Sequence, residues 1–291
     1  MTGVQTCALP ISIGNNVTTI GYESFRECDR LTCLTIGNGV TTISPSAFYG
    51  CGSLTSVTLG SSVSSISSSA FEDCGKLVEV INKSSLTVTA GDTGNGYVAH
   101  CAKEVHSGES KIVNQNDFLF YTYSGVDYLI GYVGSDIELT LPESYNGNSY
   151  KVYDHAFYNY TGLKGITIPE CVTDISSGAF FGCSNIETAV IHPTAAFCIP
   201  KENLITVVIV GGSKIDDYAF CDSLSLENVT IENSITRIGE WTFSGCGELR
   251  NINYNGSAEQ WKAISKGYGW NSKSGIYTVT CTDGVLTKAE S

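Results

Sequence analysis

Basic side chains are scarce in this chain. Its 291 residues carry 16 Lys and Arg against 29 Asp and Glu, a formal net charge of −13. Binding to nucleic acid needs clustered cations that displace phosphate counterions, and no such cluster occurs, so nucleic acid is not an expected partner. No apolar run approaches the ~20 residues that a membrane-crossing helix requires, so no membrane span is expected. Signatures of chemistry are missing too. His100 and His106 are six apart, His155 sits beside an Ala-Phe pair and His192 precedes a proline. None has the helical spacing of a zinc-protease pair, and neither a Gly-x-Ser-x-Gly elbow nor a glycine-rich phosphate loop is present. Each histidine reads as a surface or turn residue. The paired acids Glu72-Asp73 and Asp216-Asp217 read as solvated turn positions. "GDTGNGY" offers Asp92 and Asn95 as calcium ligands but lacks the acid of the third position and the distal Glu, so a Gly-rich turn is the better reading. The expectation is a chain that is not an enzyme and holds no cofactor and no metal.

What is present is a repeat of 23 residues. Val17, Val40 and Val63 are in step, as are Ile20, Ile43 and Ile66, then Phe25, Phe48 and Phe71, then Cys28, Cys51 and Cys74, then Leu31, Leu54 and Leu77. The template returns at Phe157 and Phe180 and again at Phe220 and Phe243; Cys183 and Cys246 keep the cysteine position, where Tyr160 and Ser223 depart from it. A fixed period of this length marks a solenoid whose coils bury their apolar sides against one another. In "LTIGNGV", Leu34 and Ile36 alternate with Thr35 at the period of a strand, and the Ser- and Gly-rich stretch "SPSAFYGCGS" turns the chain back without a long helix.

Written out, one unit reads "LTSVTLGSSVSSISSSAFEDCGK" and another "LKGITIPECVTDISSGAFFGCSN". This order of Leu, Ile or Val, then Val, Ile, Ala-Phe and Cys resembles the BspA-like leucine-rich repeat family. The resemblance implies a leucine-rich repeat solenoid: coils of about 23 residues with parallel β-strands on one face, short turns on the other and few helices. It also implies a secreted or cell-surface microbial protein that contacts host proteins, other cells or matrix.

The five cysteines of the template share one phase and read as a ladder of buried thiols bonded weakly to turn backbone, with disulfides or metal as the alternative. Cys33, Cys101, Cys171, Cys198, Cys221 and Cys281 show no zinc-site spacing, though one pair among them is compatible with oxidation outside the cell. The opening "MTGVQTCALPI" resembles a translated sequencing-adapter oligonucleotide, so residues 1–12 are expected to be non-native, Cys7 among them, and a signal sequence to be missing upstream. Ile11 and Ile13 fall in register with Leu34 and Ile36, whereas Ala8 and Leu9 do not match the template; most of this agreement reads as chance, with docking as an edge strand left open.

The expected organisation is an N-terminal array over 13–83, an irregular insertion over 84–136, a second array over 137–254 and a cap over 255–291. Within the insertion, Val98, Ala102 and Val105 have helical spacing, and Ser124-Gly125 is the turn between two strands. "YNGN" accounts for four extra residues between Leu139 and Ile166, and "HPTAAFCIPKENL" for a shortened coil. In the cap, Ala258, Trp261 and Ile264 are one helical turn apart before the strand "IYTVTC"; Trp261 and Trp270 read as cap residues, with a sugar-stacking platform as the alternative.

The outward strand positions form the expected ligand-binding face. They carry Cys33 and Thr35, Ser56 and Thr58, Glu79 and Ile81, Gly165 and Thr167, Thr188 and Val190, Asn228 and Thr230, and Asn251 and Asn253. This face is polar, nearly uncharged and free of aromatic anchors. Asn16, Asn82, Asn159, Asn228 and Asn255 also begin glycosylation triplets, which short motifs in a Ser/Thr-rich chain produce by chance. Function is expected to be adhesion or interaction with a protein or glycan by a monomeric chain. The alternative is the targeting region of a larger secreted or wall-active enzyme.

Overall fold

The computed structural model describes residues 10–290. Cys7, Ala8 and Leu9 lie outside the described residues. The described residues divide into two compact units, 10–134 with 152–158 and 135–151 with 159–290.

In the first unit, Ile11–Ile13, Cys33–Ile36, Ser56–Leu59, Glu79–Asn82 and Glu104–His106 form one parallel sheet in that order. A narrower ladder of Thr19–Ile20, Thr42–Ile43 and Ser65–Ile66 shares the same core. Strand alternation turns Leu34, Ile36, Val57, Leu59 and Val80 inward, where they meet Leu31, Leu54, Leu77, Val40 and Val63. Phe25, Phe48 and Phe71 stack coil on coil at centroid distances of 5.1 and 5.0 Å. Phe48 and Phe71 are buried and Phe25, the first ring of the row, is half-buried.

Each turn around these rings uses backbone in the left-handed region. Ser46 and Gly50 flank Phe48, Ser69 and Asp73 flank Phe71, and Trp241 and Gly245 flank Phe243, all with positive φ. The kinks aim backbone donors along the stack: the N–H of Phe48 bonds to the carbonyl of Ala70 at 2.8 Å and that of Gly50 to Glu72 at 2.9 Å. Turn amides are thereby satisfied by the next coil instead of by water.

One sequence expectation is corrected here. Val98, Ala102 and Val105 do not share a helix: Asn95–Tyr97 is a single 3₁₀ turn, and Val105 lies in a strand opposite Val80. The edge of the Glu79–Asn82 strand offers both unpaired backbone groups and uncovered core, so a further coil satisfies more than a helix would. Ile11 and Ile13 dock as the edge strand that their register left open: Ile11 pairs with Leu34 and Ile13 with Ile36, and both side chains pack on the core. After the last coil of this unit, Val113–Gln115, Phe118–Tyr123 and Val126–Tyr132 make an antiparallel ribbon. Ser124 and Gly125, both with positive φ, form its turn, as a two-residue hairpin of this hand requires.

The second unit carries seven parallel strands, Glu138–Thr140, Gly165–Thr167, Thr188–Ile191, Thr206–Ile209, Asn228–Ile231, Asn251–Tyr254 and Thr278–Cys281. Leu139 pairs with Ile166, and the extra residues between them sit in a turn at Tyr145–Asn148 where Asn146 and Gly147 have positive φ. Thr188 pairs with Thr206 across the shortened coil, which turns on the 3₁₀ segment Pro193–Ala195. Ser257 and Gln260 form a capping box that starts the helix Ala258–Ala263. Trp261 of this helix is fully buried and meets Tyr254 and Trp270 edge-on at 5.3 and 6.1 Å. Gly284–Thr287 then folds back antiparallel on the last parallel strand.

Candidate functional site: the strand face

In the second unit the outward positions align in two rows. One runs Glu138, Gly165, Thr188, Thr206, Asn228, Asn251 and Thr278; the other runs Thr140, Thr167, Val190, Val208, Thr230, Asn253 and Thr280. Thr188, Asn251, Asn253, Thr278 and Thr280 are exposed and Thr167, Thr206, Asn228 and Thr230 half-buried. Asn251 Nδ2 donates to Asn228 Oδ1 at 2.8 Å, which orients one amide by the other. Gly165 is buried and not part of the exposed row: a Cβ there would collide with the carboxylate of Glu138 and stand 2.6 Å from Thr188 Oγ1. Charge borders the rows at Lys164, whose Nζ lies 2.9 Å from Glu187 Oε1 and whose ammonium that bond holds above its ordinary range. Thr206, Val208, Thr278 and Thr280 extend the predicted face; the alternation in "ITVVIV" and "IYTVTC" carried their signal.

The same positions in the first unit have a different fate. Thr35 is exposed and Thr58 half-buried, but Ser56, Glu79 and Ile81, expected to face solvent, are buried. The segment after the last coil crosses this face. Glu79 Oε2 accepts hydrogen bonds from Ser56 Oγ at 3.0 Å and Ser110 Oγ at 2.6 Å, while Oε1 accepts from the Lys111 N–H at 2.7 Å. His106 Nε2 completes the set at 3.0 Å from Oε1. Because His106 Nδ1 accepts from the Gly108 N–H at 3.1 Å, the proton belongs on Nε2 and the imidazole is neutral. His106 is therefore a strand residue holding a buried acid, not a surface or turn residue. Beside it, Glu104 bonds to Lys111 Nζ at 2.6 Å and to the Tyr121 hydroxyl at 3.0 Å. The lysine bond holds the Glu104 carboxyl below its usual range, and burial with the Glu104 bond pushes the Tyr121 phenol far up. With four donors already on Glu79, this cluster is a fastening of the chain to its own sheet.

Comparison with known proteins decides the family. A model of the BspA type leucine rich repeat region matches in six copies over residues 5–93, 137–201 and 213–266. The chain belongs to the BspA-type leucine-rich repeat family. No curated protein matches it. Among solved structures it is similar to a leucine rich cell surface protein of Faecalibacterium prausnitzii A2-165, at 27% identity and a TM-score of 0.43. That match covers 87% of this chain and 62% of the Faecalibacterium one, so the chain spans less than two thirds of that relative. A leucine-rich repeat protein of Eubacterium ventriosum ATCC 27560 is similar at 21% identity over 91% of this chain and 83% of that one, with a TM-score of 0.41.

Within this BspA-type array the remaining candidates have structural employment. All eleven described cysteines are free thiols. Cys51, Cys74, Cys183 and Cys246 are buried and Cys28, in the same coil as Phe25, is half-buried. The sulfurs of Cys51, Cys74 and Cys246 donate to the carbonyls of Phe25, Phe48 and Phe220 at 3.1, 3.3 and 3.1 Å. Burial pushes the Cys246 thiol up to about 12. Asp92 Oδ1 accepts from the Gly94 N–H at 3.0 Å and Asn95 Nδ2 donates to the Thr87 carbonyl at 2.9 Å, so both are occupied in turn geometry. His155 Nδ1 meets Asp154 Oδ2 at 2.7 Å, and His192 Nδ1 meets Thr194 Oγ1 at 2.8 Å where it caps the 3₁₀ segment. Among the described residues no three His, Cys, Asp or Glu side chains converge as metal ligands, and no helix is long and apolar enough to cross a membrane.

Proposed function

We propose that this BspA-type chain is a non-catalytic adhesion or interaction module of a secreted or cell-surface protein, and that it binds a protein or glycan partner through the strand face of its second unit. One observation carries the reading: the face is open and mostly polar there, while the corresponding face of the first unit is already occupied by the chain's own Ser110 and Lys111. Parallel strands hold neighbouring rungs ~4.8 Å apart, so the Thr and Asn side chains form a regular grid of donors and acceptors. Family membership supports a binding role, since repeat arrays present such faces to partners. The test is a screen of the purified chain against matrix proteins, mucins and wall polysaccharides, with hydrolysis assayed in parallel. Saturable binding without turnover is the expected result; turnover that survives repurification would overturn the non-catalytic reading.

A further inference from the structure

The second unit also carries an exposed aromatic cluster on its coil turns, away from the strand face. Tyr218 is 56% exposed, Tyr268 is 75% exposed and Trp241 is half-buried. Consecutive coils bring them together. The N–H of Tyr218 bonds to the carbonyl of Glu240 at 2.8 Å, and that of Trp241 to the carbonyl of Tyr268 at 3.1 Å. The Trp241 and Tyr268 rings meet edge-on at 5.2 Å. Gly269, itself at φ +63°, allows this: a Cβ there would stand 2.8 Å from the six-membered ring of the indole, so only glycine lets Trp241 lie against the next coil.

These aromatics are not where packing alone would put them. Tyr218 and Trp241 occupy the left-handed position two residues before the phenylalanine, at φ 59° and 55°. Other coils fill the same position with Glu23, Ser46 and Ser69. A bulky side chain is disfavoured in this backbone region, and exposure returns little burial to offset the strain. Strained positions that carry exposed aromatics point to recognition.

Charge selects the ligand. Two of the three aromatics follow an acid in the chain: Asp217 precedes Tyr218, and Glu240 precedes Trp241. Both acids are exposed, and Asp217 Oδ1 accepts the Glu240 backbone N–H at 2.9 Å, which fixes the Asp217 carboxylate on the next coil beside the residue that precedes Trp241. Lys214 is neutralised by Asp216 at 2.8 Å, leaving the exposed Arg237 as the basic group on the neighbouring strand. Ring faces attract cations, carboxylates attract them further, and the chain as a whole is strongly acidic. We propose that Tyr218, Trp241 and Tyr268, with Asp217 and Glu240, form a docking patch for a lysine- or arginine-bearing segment of a partner protein. The patch is independent of the strand face and stands or falls separately from it.

The test titrates the full chain with a short Arg- and Lys-rich peptide, followed by tryptophan fluorescence, since Trp241 is half-buried while Trp261 and Trp270 are buried. Trp241→Ser restores the residue type of other coils, and is expected to weaken peptide binding by about tenfold with thermal unfolding unchanged. Glu240→Gln is expected to weaken it several-fold, and raising salt from about 50 to about 500 mM to weaken it strongly. A strand-face variant such as Asn251→Trp should leave peptide binding alone. Absence of saturable peptide binding, or binding indifferent to Trp241→Ser, would overturn the proposal. So would Trp241-dependent binding of neutral oligosaccharides in place of the peptide.

Discussion

His106 donates from Nε2 to Glu79 Oε1 at 3.0 Å, and so ties the last strand of the first unit's sheet to the strand before it. Around the same carboxylate stand Ser56, Ser110 and the amide of Lys111. Glu79→Ala removes the acceptor and leaves the buried Ser56 and the half-buried His106 without this partner, while Ser110 and Lys111 can turn to water. The expected cost is about 1–3 kcal/mol, as for leaving a buried polar group unsatisfied, read by urea denaturation of the full chain. A loss below about 1 kcal/mol would show that water replaces the carboxylate at no great cost.

Ser223 occupies the cysteine slot of its coil, fully buried, and its hydroxyl has no hydrogen-bond partner. Ser223→Ala removes an unpaired polar atom, so stability should rise by about 1 kcal/mol. Thermal unfolding checks the sign, and a lower melting temperature would contradict it.

The thiols make stability fall in alkali. An unfolded cysteine ionises near pH ~8.5. In the fold, burial pushes Cys198 and Cys246 up to about 12. Between those values the unfolded chain has released protons that the folded chain keeps. The stabilisation is thus complete below the unfolded value and declines as pH rises toward the folded one, by up to about 1.4 kcal/mol per pH unit for each thiol. Cys246→Ala should flatten the slope of unfolding free energy against pH in this window.

Thiol labelling in the native state should distinguish the ladder's members. Cys51, Cys74, Cys183 and Cys246 should resist modification until denaturant is added, and half-buried Cys28 should react first. Recovery of a disulfide joining any two of the five would contradict this.

Much of this architecture was legible in the sequence because burial repeats. The 23-residue spacing of Phe48 and Phe71 becomes a ring stack, and Leu139 and Ile166 pair despite the four residues inserted between them. The hairpin at Ser124-Gly125 was legible for a local reason, its demand for positive φ. Glu79 was not, since alternation says which side of a strand a residue faces but not what later chain lies over it. Nor was the coil at Val105, whose spacing from Val98 and Ala102 imitates a helix while the strand edge at Val80 decides the outcome. The aromatic cluster escaped because its members fall at turn positions that the apolar template leaves free, and only the fold reveals that Trp241 lies against Gly269.

The central claim is that partners bind on the open strand face of the second unit. The most direct measurement compares wild type with Thr230→Trp and Asn251→Trp for binding to each immobilised matrix protein, mucin or wall polysaccharide that the wild type retains. Both positions point outward, so thermal unfolding should stay unchanged, and binding should fall at least about tenfold while depending only modestly on salt. Partners held equally well by wild type and both variants would place recognition elsewhere and contradict the account.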